Sequence, residues 1–174
     1  MKSLNTRITR IGVTLFVVAL IACPKVTESQ SHIAQRHSTQ RSQITFVCEH
    51  GAALSVVAAA YFNKLARERH LNLHAMARGT TPQKDIAVSA REGLKADGVP
   101  FETTHPQALS TSDAAHAIRI VAFAPIPARY SRITRVQTWA DVPPTKDNYG
   151  LARDAILKHL AELFRELERD GKAL

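Results

Sequence analysis

The sequence predicts an α/β domain in which a parallel sheet is covered by helices on both faces. Two observations point there. From Ile44 onward, apolar strand-like runs alternate with stretches of helical period. The 174 residues, 45% apolar and 22% charged, have a globular composition and a length suited to a single domain. A disordered or fibrous chain is excluded.

The elements follow in order. Ile44-Thr45-Phe46-Val47 is a short β-branched and aromatic run, read as the first strand. After a loop from Cys48 to Ala53 comes a helix whose apolar positions Leu54, Val57, Ala58, Tyr61 and Leu65 keep the three/four spacing. Leu71–Ala77 is the second strand, closed by Gly79 and Pro82. Asp85–Ala96 reads as a helix stopped by Gly98, with Pro100 beyond it. Ser112-Asp113 caps a short helix ahead of Ala117–Phe123, the most hydrophobic strand, and Thr134–Trp139 is the fourth. The last helix, Tyr149–Arg169, carries Ala152, Ile156, Leu160, Leu163 and Leu167 on one stripe, with charged residues mainly opposite.

Charge divides the chain unevenly. The net +8 suggests nucleic acid or an anionic membrane as partner, yet Lys2, Arg7, Arg10, Lys25, Arg36 and Arg41 against Glu28 place +5 of it before Ile44. The domain is left with +3, and its nine aromatics from Phe46 onward form no stacking pattern, which argues against nucleic acid. A basic start followed by the uncharged apolar run Ile11–Ala22 is the layout of a secretory signal over residues 1–23, and the run is shorter than the ~20 residues of a membrane span. Its end, Leu20-Ile21-Ala22-Cys23, resembles the lipobox of bacterial lipoproteins, which implies a lipidated Cys23. An ordinary signal peptide or an uncleaved anchor would leave Cys23 incidental. Residues 24–43, rich in Ser, Gln, Thr and His, read as a flexible tether in which His32 and His37 are solvated. The expected location is therefore outside a bacterial cytoplasm, either periplasmic or tethered to the membrane through the leader. Two cysteines cannot build a disulfide framework, and no ligand set with zinc spacing is present, so neither a metal nor another cofactor is expected.

In an open parallel sheet the ligand site lies at the carboxyl ends of the strands. The first such loop is Cys48-Glu49-His50-Gly51-Ala52-Ala53-Leu54-Ser55. A cysteine facing a helix start lies in the positive end of the helix dipole, which favours the thiolate. Gly51, Ala52 and Ala53 allow backbone N–H groups to approach an oxyanion, and the Ser55 hydroxyl is placed to donate to the sulfur. The alternative is a buried, inert Cys48.

These residues, with Ala77-Arg78-Gly79-Thr80 and Trp139-Ala140-Asp141-Val142-Pro143-Pro144, resemble the low-molecular-weight protein tyrosine phosphatase and arsenate reductase superfamily over Ile44 to Leu167. The resemblance implies a three-layer α/β/α domain (residues 44–170) with a four-stranded parallel sheet. It also implies a phosphate-binding loop, a cysteinyl-phosphate intermediate at Cys48 and a general-acid Asp from a late loop. The pattern has an Arg six positions after the Cys; here that position is Leu54, which cannot clamp two phosphate oxygens. The Asp-Pro step is replaced by Val142-Pro143-Pro144-Thr145, leaving Asp141 as candidate acid and Asp147 as the fallback. Arg78, and less directly Arg129, are candidates for the missing cation. The phosphate-binding set is thus Glu49, His50, Gly51, Ala52, Ala53, Leu54, Ser55 and Arg78. His50 is placed to orient a phosphate, whereas Glu49 opposes a thiolate beside it.

Three functions follow from these residues. One is hydrolysis of phosphomonoesters, including phosphotyrosine, on a small molecule or phosphoprotein. The second is an anion-binding module without catalysis. The third is arsenate reduction with an external thiol, because no cysteine follows Cys48 to form an internal relay.

Overall fold

The computed structural model describes residues 43–172. The leader with Cys23, and the tether with His32 and His37, lie outside the described residues. Strands β1 (Gln43–Cys48), β2 (His74–Gly79), β3 (Ala117–Ala122) and β4 (Arg135–Thr138) form one parallel sheet in the order β2-β1-β3-β4. Helices α1 (Leu54–Glu68), α2 (Val88–Ala96), α3 (Thr111–His116), α4 (Ala128–Ser131) and α5 (Tyr149–Arg169) connect and cover it.

Strand periodicity builds the three layers. β1 is buried along its whole length, and successive side chains leave it on opposite faces. Ile44, Phe46 and Cys48 enter a core shared with α1, α2 and α5. Val47 enters a smaller one with Ala114 of α3 and Tyr130 of α4. The apolar stripe of α5 is buried as its spacing predicts, and Phe164 between two of its members stacks on Phe62 of α1 with ring centroids 4.7 Å apart. Asn148 opens that helix by accepting the Leu151 N–H. Among the described residues no helix is long and apolar enough to cross a membrane.

Several boundaries differ from the sequence expectation, each for a local reason. Gln43 belongs to β1 rather than to the tether, paired with His74. β2 starts three residues later than expected, because His70 adopts a φ of 56° and the Leu71 N–H turns back to Ala66. Leu71–Leu73 are thereby spent on the exit from α1. At its other end β2 runs on through Arg78 and Gly79, which pair with Val47 and Cys48. α2 begins at Val88 rather than Asp85, because the Ala87 N–H is drawn to the Ala52 carbonyl at 3.0 Å. Its end is as expected: Gly98 has a φ of 64° and lets the Val99 N–H reach Leu94. Ser110, not Ser112, caps α3, in a reciprocal box with Asp113. The one-turn helix α4 carries no sequence period and was not expected.

Candidate active site

β1 has neighbours on both sides, and the chain passes to β2 on one and to β3 on the other. Its carboxyl end is therefore the switch point of the sheet, where the diverging connections leave a crevice. Cys48 is the last residue of that strand.

The loop that follows is held from outside by its carbonyls. Those of Cys48, Glu49, His50 and Ala52 accept the N–H groups of Thr80, Thr81, Gln83 and Ala87 at 2.8 to 3.2 Å. A planar trans peptide sets the C=O of one residue and the N–H of the next on opposite sides. The N–H groups of Glu49, His50, Gly51 and Ala53 therefore turn away from the β2–α2 connection. Among the described residues no carbonyl or side chain accepts them. The start of α1 is equally open: Ala53 provides no side-chain cap, and the first turn holds no acid.

Two glycines make this path possible. Gly51 has a φ of 62°, a region that L side chains avoid. A Cβ on Gly79 would lie 2.7 Å from the Gly51 nitrogen and 2.8 Å from the His50 carbonyl carbon, so the two backbones touch. Behind the thiol, Ser55 is fully buried with its Oγ 3.1 Å from Cys48 Sγ. That contact is the one hydrogen bond of the Ser55 side chain among the described residues, and Cys48 itself belongs to the apolar core.

In front of Cys48 lies a cavity of about 490 Å³. Its floor and near wall are Cys48, Glu49, His50, Ala52, Ala53 and Leu54; the far walls are Gln83, Ala87 and Ser89, then Phe123 and Ala124, then Pro144, Thr145 and Lys146. Four connections thus meet there. Most of the expected loop set lines the cavity, while Gly51 packs on Gly79 and Ser55 sits behind the sulfur.

The expected cations and acid are placed elsewhere. Arg78 forms a bidentate pair with Asp113, Nε to Oδ2 at 3.1 Å and Nη2 to Oδ1 at 3.0 Å, and does not line the cavity. Burial pushes the Asp113 carboxyl up, but bonds from Arg78 and Ser110 outweigh it and leave its pKa below the ordinary value. Arg129 lies over the Tyr130 ring and donates to its hydroxyl. Asp141 is largely exposed and holds His159 Nε2 at 2.9 Å through both oxygens; His159 in turn stacks on Trp139. The His159 bond lowers the Asp141 pKa, and the carboxylate does not line the cavity. Asp147 uses its N–H to close a turn onto Pro144 and is also absent from the walls. Glu49 is the one carboxylate among the lining residues. Ser89 of α2 and Thr145 and Lys146 of the loop after β4 also line the cavity, and no sequence motif marks them. Among the described residues no group of three or more His, Cys, Asp or Glu is arranged to hold a metal ion.

No family model and no curated protein matches the chain. Solved structures do. YfkJ from Bacillus subtilis superposes with a TM-score of 0.65 at 18% identity, over 74% of this chain and 95% of that one. A low-molecular-weight protein tyrosine phosphatase from Streptococcus pyogenes gives 0.62 at 13%, over 72% and 93%. A thioredoxin-dependent arsenate reductase from Corynebacterium glutamicum gives 0.59 at 16%, over 76% and 65%. The domain therefore has the fold shared by low-molecular-weight phosphatases and these arsenate reductases, as the sequence resemblance implies.

Proposed function

We propose that the domain is a phosphatase-like hydrolase of phosphomonoesters acting through Cys48. The observation that carries this reading is the row of unpartnered N–H groups in the loop beside the thiol. Such donors suit the equatorial oxygens of a phosphoryl group, which gather charge during transfer. In the proposed reaction the thiolate attacks phosphorus, an S–P bond forms and the P–O bond to the leaving group breaks. Water then cleaves the S–P bond, releasing phosphate and restoring the thiolate. Ser55 steadies the sulfur. An activated phenolate leaves without being protonated, so aryl phosphates place the least demand on an acid at the site. If the leader directs export, the substrates are phosphomonoesters or phosphoproteins of that compartment.

Leu54 favours a second reading, an anion-binding domain without turnover, because the usual guanidinium clamp is missing there. Arsenate reduction with an external thiol is the third, and it rests on the fold. Hydrolysis of p-nitrophenyl phosphate by the wild-type protein, lost in Cys48→Ser, is the expected result. Phosphate binding with no Cys48-dependent turnover selects the second reading, and arsenate-dependent oxidation of added thiol selects the third.

A further inference from the structure

We infer that Lys146 supplies the positive charge that Leu54 does not, binding the substrate's phosphate from the opposite wall of the cavity. This assignment rests on the phosphate-site reading above and names the residue that completes it. Among the residues lining the cavity, Lys146 is the one lysine or arginine, facing Glu49 as the one carboxylate. The other basic candidates are engaged elsewhere, Arg78 by Asp113 and Arg129 by Tyr130. Lys146 forms no ion pair among the described residues.

Its position is fixed although its side chain is exposed. Thr145, only 4% exposed, is bonded through its Oγ1 to Ser89 Oγ of α2 at 3.0 Å. On the other side the Asp147 N–H returns to the Pro144 carbonyl. The backbone of Lys146 is thereby pinned at the cavity wall, and a four-carbon stem carries the ammonium. A lysine meets phosphate as a mobile point charge where an arginine would clamp two oxygens in a plane. The site then holds a dianionic phosphate by loop amides on one side and a single flexible cation on the other.

The test is titration of inorganic phosphate into the full chain, followed by calorimetry, with thermal melts to verify folding. Lys146→Gln is expected to weaken binding about tenfold, the loss of one charge-assisted contact. Lys146→Arg is expected to keep binding within a few-fold, and Lys95→Gln, at the far end of α2, to leave it unchanged. In a Leu54→Arg background, Lys146→Gln is expected to cost much less, because the two cations serve the same ligand. Unchanged binding in Lys146→Gln overturns this assignment while the phosphate site itself stands. A wild-type chain that binds no phosphate and shows no Cys48-dependent turnover overturns the site reading and this assignment together.

Discussion

The starts of α1 and α3 obey the same rule and end in opposite states. Each leaves backbone N–H groups that the helix cannot satisfy. At α3 the Ser110 hydroxyl accepts the Asp113 N–H, the Asp113 carboxylate accepts the Ser110 N–H at 2.9 Å, and Arg78 neutralises that carboxylate. At α1 no side chain caps the helix and no acid enters its first turn, while the preceding loop turns its carbonyls outward. α2 repeats the contrast within one helix. Its start, uncapped at Ala87, borders the cavity, while Asp97 at its end takes both tyrosine hydroxyls, Tyr61 and Tyr149, and the Arg153 guanidinium. Where the protein satisfies its own polar groups it is making structure. Where it leaves donors open beside a thiol, it makes the site proposed above for an anion.

Giving the open end the cation its loop pattern calls for is the strongest way to sharpen the contrast. Leu54→Arg is expected to raise kcat/KM for p-nitrophenyl phosphate about a hundredfold, the scale on which one transition-state donor acts. Steady-state kinetics on both proteins checks it, and an unchanged rate would show that position 54 does not face the reacting phosphate.

Closing the open loop sterically should come next. Gly79→Val puts a side chain where Gly51 and His50 backbone atoms stand, and it is expected to cost about 3 kcal/mol of stability by chemical denaturation. Phosphate binding should fall in the same variant, since the loop must move to admit the side chain.

At the closed end, Arg78→Ala is expected to cost about 2 kcal/mol, because it strands a carboxylate whose side chain is only 12% exposed. Phosphate affinity should not change. A loss of affinity without a loss of stability would return Arg78 to the candidate site.

The smallest effect concerns Asp97. The Tyr61 hydrogen bond is the main cause holding its carboxyl below the ordinary value. The same contact, together with burial as the larger cause, pushes the Tyr61 hydroxyl up to about 12. A depressed carboxylate contributes stability that is full above the unfolded pKa near 4 and is lost as pH falls through the folded one. Asp97→Asn is therefore expected to lower stability by about 1 kcal/mol at pH 7 and to flatten the dependence between pH 5 and 3. Thermal melts across that range measure both.

Much of this was legible in the residues. The β-branched and aromatic run Ile44–Val47 and the apolar stripe of α5 are local patterns, and a pattern carried by several residues survives small errors at its ends. The thiol and its loop were legible for a similar reason: Cys48 through Ser55 are contiguous, and their order states which atoms lie near which. The start of β2 was not, because a single left-handed residue, His70, decides where the strand begins. Arg78 was misplaced because a strand residue's reach depends on which neighbour offers a carboxylate, and Asp113 lies 35 positions away. The place of Lys146 on the cavity wall was not legible because it depends on a turn and on Thr145 meeting Ser89, 56 positions earlier.

The sequence by itself determined the layering of the sheet, the location of the thiol at a strand end and the absence of an Arg at position 54. These follow from periodicity and adjacency, which are properties of the chain alone. Only the tertiary structure decided which polar groups are spent on one another and which remain open. Hydrogen bonds and ion pairs are short-ranged, so their partners are chosen by where distant segments come to rest.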